Sequence, residues 1–408
     1  MITGRQLQCV SCGTRVLTRT GIGHGAIQKH KFACPTCKVE IGFVLHLDQE
    51  AASLEYDEPT NAAWVDGDNE PTNSVLFYPE MMIPRGLPSL LSPFVATAGN
   101  LKDIGEYQAV EAARRRIKDN LSPIIERVYV HFENGNIELM GKNAVELTGG
   151  TVPDLSDEEN RAGWLMAATR HFFDFFVASP SMNSEAAKIA ATAVVKHQAA
   201  VRDFAAQYIS SGRMAALWKE IKSVRRQFME LYESLLPLLM VRRYWREEHQ
   251  NITAYDLSVK NFEDLKGFYI DCVETSFRLL VIGLGFALIG DTGFTAINTR
   301  KGDKDIWWFE QMNNGIKHTQ LDNYPVFAPI VSALDLGLRN GVGHHSAHYE
   351  VDSDTIVYVK ADDASLATTS IQYTVFVDQV FRAYCAFEAA TMFYQFLFVA
   401  GRGRLKWS

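Results

Sequence analysis

Apolar residues recur at three- and four-residue spacing along most of this chain, the pattern of helices that bury one face. Ile189, Ala193, His197, Val201, Phe204 and Tyr208 form one stripe, with Ser184 placed to cap its helix. Leu217, Ile221, Val224, Phe228, Leu231 and Leu235 form the next, which Pro237 is expected to kink or end. Asp154 or Ser156 can cap a helix running through Val177, and another helix is expected around Glu106 to Asn120. A long helix opens at Asn261 and runs through Ile289, where Gly290 and Gly293 end it. Its second half is apolar on every side, which predicts a central, buried helix. A short helix follows around Asp305 to Asn314, then one marked by Val326, Phe327, Ile330, Leu334 and Leu338. The last runs from about Thr369 to Phe398. Alternation replaces the helical period in few places. Val128 to Phe132 and Ile137 to Met140, joined at Glu133 to Asn136, read as a β-hairpin. His348 to Val351 and Thr355 to Lys360 read as two strands joined at Asp352-Ser353-Asp354.

The first forty residues are punctuated by cysteine instead. Cys9-Val-Ser-Cys12 and Cys34-Pro-Thr-Cys37 make two Cys-x-x-Cys knuckles separated by 21 residues. Such pairs each present two thiolates from one tight turn, and two pairs complete the tetrahedral donor set of a structural zinc. One Zn2+ per chain on Cys9, Cys12, Cys34 and Cys37 is therefore expected, replacing a core that so short a segment cannot build. Arg15 to Thr20 and Gln28 to Ala33 would be the arms of a hairpin between the knuckles. His24 and His30 are expected on exposed loop and strand positions, since four cysteines already fill the site. Cys272 and Cys385, in apolar helical segments, are expected in the core.

Charge is distributed unevenly. No Asp or Glu occurs up to Val39, whereas Arg5, Arg15, Arg19, Lys29, Lys31 and Lys38 are basic. From there to Pro84 no Lys or Arg occurs, and the stretch reads as an acidic linker. The basic ribbon either touches a nucleic acid or acidic partner, or is a solvated surface with the acidic tether folded over it. Arg114, Arg115 and Arg116 either meet RNA or form the polar face of a helix. Over the 408 residues the net charge is −8, against a surface coated for nonspecific nucleic-acid binding. The chain opens without an apolar leader, and the most apolar stretch, Leu279 to Gly290, is short for a bilayer. A cytoplasmic protein with no membrane partner is expected.

The helix of Leu334 and Leu338 ends in Leu338-Arg339-Asn340-Gly341-Val342-Gly343-His344-His345. Arg339-Asn340-x-x-x-His344 resembles the Arg-x(4–6)-His motif of HEPN domains, in the form with Asn after the Arg. Its setting is similar too: an amphipathic helix before it, a short extended piece after it, and a long closing helix. The resemblance covers about the last 150 residues. It implies a metal-independent endoribonuclease, of the kind found in bacterial defence and toxin systems, with Arg339, Asn340 and His344 catalytic and His345 as second choice. The family's site forms where two such domains meet, which implies a homodimer or higher even oligomer, with RNA as substrate and room for a protein partner or inhibitor. Gly341 and Gly343 are expected to break the helix so that His344 folds back beside Arg339. The same spacing recurs at Arg19 and His24 and at Arg243 and His249, without that setting. Other HEPN domains are inert, so the alternative is a noncatalytic sensor or scaffold that docks a protein or nucleic acid. A plain structural alternative for the residues is an Asp335–Arg339 ion pair with histidines favoured at a helix C-terminus.

The expected architecture is thus mainly α: a zinc ribbon over 1–47, an acidic linker over 48–75, a mixed then helical middle region over 76–255, and a HEPN-like helical bundle over 256–408.

Overall fold

The computed structural model describes residues 2–23, 25–48, 50–66, 73–87, 91–147, 154–176, 180–297, 302–343, 347–359 and 368–402. His24, His344 and His345 lie outside the described residues. Helix takes 61% of the chain and strand 18%, so the mainly helical class holds, with most strands at the N-terminus.

The chain opens with β1 (Ile2–Cys9), β2 (Arg15–Gly21), β3 (Ile27–Ala33), β4 (Glu40–Asp48), β5 (Ser53–Tyr56), β6 (Ala62–Val65), β7 (Asn73–Phe77) and β8 (Ile83–Pro84). The first seven form two sheets, β6-β1-β2-β7 and β3-β4-β5. All their pairings are antiparallel except β2 with β7, which runs parallel with Val16 opposite Asn73 and Thr20 opposite Phe77. The expected hairpin arms exist, but β2 and β3 pair into different sheets rather than with each other. The acidic stretch is not a linker either. Its β5, β6 and β7 extend both sheets, and Ala62 and Phe77 join Leu7, Val16, Phe32, Ile41 and Phe43 in one core. Acidic side chains on exposed strand positions are compatible with a sheet whose other face is buried. The cysteine-bearing segment is therefore part of a domain with a hydrophobic core of its own.

Helices follow as α1 (Pro93–Thr97), α2 (Ile104–Arg116), α3 (Ser122–Glu133), α4 (Ile137–Leu147), α5 (Glu158–Phe176), α6 (Pro180–Ser210) and α7 (Arg213–Tyr244). After β9 (Tyr255–Asp256) come α8 (Phe262–Thr292), α9 (Ile306–Glu310), α10 (Asn314–Leu321), α11 (Ala328–Val331) and α12 (Leu336–Gly343). The chain closes with β10 (His348–Glu350), β11 (Thr355–Val359), β12 (Thr368–Gln372) and α13 (Tyr373–Ala400). The expected hairpin of Val128 and Ile137 is instead the helical pair α3–α4, turned at Gly135 with φ +67. Ile124, Ile125, Val128 and Tyr129 are its buried face, and this helical period extends beyond the short alternating window. Pro237 does not end α7, because the turns around it are sealed by buried Leu235, Leu236, Leu238 and Leu239. One hydrogen bond lost to proline is outweighed there by apolar burial.

The described contacts group the chain into two units, each drawn from three stretches. One comprises Met1–Gln108, Glu230–Gly267 and Gly337–Phe381; the other comprises Ala109–Met229, Phe268–Leu336 and Arg382–Ser408. In the first, β8 pairs with β9, the Tyr78 amide donates to Ser258 Oγ at 2.6 Å, and the Asn261 amide donates to the Tyr373 hydroxyl at 2.8 Å. In the second, aromatic rings fill the spaces between helices, with Phe228 stacked on Tyr384 at 4.0 Å between ring centres. Arg225 and Glu388 form a two-pronged ion pair, at 2.9 and 2.8 Å, with side chains only 2% and 3% exposed. Helices α8 and α13 are long and apolar enough to cross a membrane, but 83% and 78% of their most apolar windows are buried within the protein. That burial is the pattern of core helices.

Candidate functional site

The two cysteine knuckles are built alike. After Cys9 the chain turns so that the Gly13 amide donates to the Cys9 carbonyl at 2.9 Å; after Cys34 the Lys38 amide donates to the Cys34 carbonyl at 3.0 Å. The residue closing each turn is left-handed, Gly13 at φ +73 and Lys38 at φ +65. Glycine takes that conformation without strain, whereas Lys38 adopts it at a cost of about 1 kcal/mol. Cys9 ends β1 in one sheet and Cys34 directly follows β3 in the other, and both are buried in the shared core. Cys12 and Cys37 are exposed.

These turns bring four sulfurs together. Cys9 Sγ lies 3.6 Å from Cys37 Sγ, Cys12 Sγ lies 3.7 Å from Cys34 Sγ, and all four fall within 4.8 Å of one another. Such crowding separates the thiol titrations. Cys12 is lowered to about 6 by its contact with Thr14, whose Oγ1 lies 3.1 Å away. At Cys37 the backbone bond to Val39 pulls downward, but local desolvation and the neighbouring thiols win and raise it to about 12. A set of four thiols from two sheets, with one already biased toward thiolate, is a possible site for a soft metal ion.

His30 departs from its expected exposure. It lies on the inward face of β3, 1% exposed, between the rings of Phe43 at 5.0 Å and Phe77 at 4.9 Å. Among the described residues neither ring nitrogen has a hydrogen-bond partner, and burial lowers its pKa to about 4. It is a neutral core residue. The alternation Ile27 exposed, Gln28 buried, Lys29 exposed, His30 buried carries the signal that places it there.

Arg339 and Asn340 lie within α12, not at its end, and both are half-buried. Arg339 Nη1 donates to Asn340 Oδ1 at 3.1 Å. Gly341 does not break the helix. A Cβ there would come within 2.1 Å of the Tyr358 ring, so glycine is needed for the close approach of β11. The expected partner histidines, His344 and His345, lie outside the described residues. Of the arginine run, Arg114 is fully buried against Glu111 at 2.8 Å rather than displayed to RNA. Cys272 and Cys385 are buried, as expected.

A second constellation in the first unit gave no motif. Asp354, left-handed at φ +51, accepts from Lys260 at 2.5 Å, from the Tyr349 hydroxyl at 2.9 Å and from Arg85 at 3.3 Å. Arg85 also meets Asp256 at 2.6 Å. Burial works against the Asp354 charge, but Lys260 overcomes it and holds the carboxyl below its ordinary value. Asp256, half-buried and hydrogen-bonded with Asp354, rises to about 6, through desolvation first and the neighbouring carboxylate second. The local hints in the sequence are the Asp-Ser-Asp turn and nearby Tyr349, because the cationic partners lie 94 and 269 residues away. No protein-family model, curated protein or solved structure matches this chain.

Proposed function

We propose that this chain is a metal-independent endoribonuclease of HEPN type, cytoplasmic and assembled as a homodimer or higher even oligomer, with one structural zinc in its N-terminal sheet domain. The observation that carries the reading is the side-chain pair on α12, where Arg339 donates to Asn340 and both remain half-buried rather than sealed in the core.

RNA brings its own nucleophile, the 2′-hydroxyl. Its oxygen forms a bond to phosphorus while the bond from phosphorus to the next nucleotide's 5′-oxygen breaks, leaving a 2′,3′-cyclic phosphate and a 5′-hydroxyl. One proton leaves the 2′-hydroxyl and another reaches the departing oxygen. Imidazole titrates near neutral pH, so His344 is the group assigned to proton transfer, with His345 the second choice. The Arg339 fork suits the phosphate oxygens, where charge builds in the transition state. With Asn340 Oδ1 occupied by Arg339, the carboxamide nitrogen is left to donate to the phosphate.

The zinc assignment rests on fit. Four sulfurs about 2.3 Å from a zinc ion define a tetrahedron with edges of about 3.8 Å. The 3.6 and 3.7 Å separations come close to that. Held by Cys9, Cys12, Cys34 and Cys37, the ion would tie one sheet to the other and stand apart from RNA chemistry.

The test is cleavage of RNA by the purified chain, with DNA as control and with EDTA present. Cleavage of RNA alone, yielding cyclic phosphate, is expected. Arg339→Ala and His344→Ala should each lower the rate by about two to three orders of magnitude, the usual loss for a charged donor to the transition state. His249→Ala should change nothing. Activity that survives both of the first two substitutions overturns the catalytic assignment, and RNA left intact after the natural trigger is supplied leaves the scaffold in its place.

A further inference from the structure

The first unit contains a cleft of about 850 Å³ whose lining includes neither Arg339 nor the four cysteines. Two of its walls are sheet edges. β3 is the outermost strand of the β3-β4-β5 sheet, and β10 is the outermost strand of the β10-β11-β12 sheet. Ile27, Lys29 and Lys31 line the cleft from β3, and His348 and Tyr349 line it from β10. The outer side of an edge strand carries backbone N–H and C=O groups that another extended chain can pair.

The remaining wall is acidic. Glu230 and Glu233 come from α7, and Glu263 and Asp264 from the first turn of α8. With Glu40 and Glu80 they set six carboxylates against Lys29, Lys31 and Lys260. Two of those lysines are already matched, Lys31 by Glu40 at 2.9 Å and Lys260 by Asp354 at 2.5 Å, and of the carboxylates Glu263 is matched by Lys266 at 2.6 Å. Asp354 also accepts from Tyr349, so the β10 wall and the entry to α8 are held in place before any ligand arrives. Ile27 is 59% exposed at the start of β3, an apolar contact beside the charged wall.

We propose that this cleft binds an extended peptide segment of a partner protein that carries lysine or arginine side chains. The peptide backbone adds a strand to β3, and its cations meet the exposed Glu230 and Asp264. A nucleic acid would set its phosphates against the same carboxylates, which disfavours it as the occupant. A free amine would satisfy the charge but leave the two sheet edges unused. This assignment stands independently of the ribonuclease reading.

The test uses the full-length chain as purified and a fluorescein-labelled peptide of alternating lysine and valine, followed by anisotropy at low salt. Saturable binding in the micromolar range is expected. Glu230→Gln combined with Asp264→Asn, both at exposed positions, should weaken it about fivefold without changing Tm. The same peptide methylated at alternate backbone nitrogens keeps its charge and loses its donors, and should bind at least about tenfold more weakly. A glutamate-for-lysine peptide should not bind. Binding only at millimolar peptide, equal binding of the methylated peptide, or displacement of the peptide by an RNA oligonucleotide from the same carboxylate wall would each overturn the proposal.

Discussion

His30 gives the sheet domain a pH dependence whose sign and size follow from its surroundings. The imidazole is 1% exposed, flanked by Phe43 and Phe77, and among the described residues neither nitrogen has a hydrogen-bond partner. Desolvation lowers its pKa from 6.5 to about 4. The unfolded chain therefore takes up a proton first as pH falls. No penalty exists well above 6.5; the penalty grows as pH drops through the interval from 6.5 to 4, and it levels off below 4. The full shift corresponds to about 3 kcal/mol, of which about 2 kcal/mol has accrued by pH 5. His30→Leu removes the titrating group and keeps an apolar side chain in the pocket. Its packing mismatch adds a change of about 1 kcal/mol that does not vary with pH. Denaturant unfolding of both proteins at pH 7.5 and at pH 5 isolates the effect. The thiols titrate in both proteins, so their contribution cancels in the double difference. Wild type should lose about 2 kcal/mol more than His30→Leu between the two pH values. Parallel losses, or an imidazole that titrates above pH 6 by NMR in the folded chain, would refute the reasoning.

Three further outcomes are expected. The purified, reduced chain should carry about one zinc ion by elemental analysis, and Cys34→Ser should lose it; a metal-free full-length protein excludes the zinc assignment. Glu388→Ala should cost about 3–5 kcal/mol in urea unfolding, because it strands the Arg225 charge in the second unit's core, and Arg225→Met with Glu388→Leu should recover most of that; a loss below about 1 kcal/mol would show the charge to be hydrated. Gly341→Ala should destabilise the chain by about 1–3 kcal/mol through overlap with Tyr358, against a helix-propensity gain of about 1 kcal/mol, and Tyr358→Ala should relieve it; a net gain in Tm for Gly341→Ala would show that the ring moves aside at no cost.

The features legible in the sequence are those set by neighbours along the chain. The stripes led by Ile189 and Leu217 became α6 and α7, and the all-round apolar run before Gly290 became the buried helix α8. The knuckle spacing placed four sulfurs together because each turn is closed within five residues. The misreadings arise where a distant partner decides. Val128 to Phe132 alternates over five positions, too few to separate a strand from one face of a helix whose period shows only from Ile124 onward. The acidic stretch after Val39 has weak periodicity, yet β6 and β7 are recruited by β1 and β2, whose edges would otherwise stay open. A polar residue type suggests the surface for His30, although the alternation of β3 assigns it to the core.

The glycines of α12 show how the same limit bears on the proposed site. Glycine after Arg339-Asn340 invites a helix break, because backbone freedom is the property a local reading can use. Gly341 instead remains helical, and its missing side chain admits the Tyr358 ring. That contact spans 17 residues and has no local sign. Its consequence is that Arg339 stands on a helix braced by β11 rather than on a loose turn. A side chain mounted on a packed helix is held more closely than one on a loop. The strands after the motif thus support the arginine's position, and the requirement for glycine at 341 belongs to packing, two residues from the guanidinium that the proposed chemistry uses.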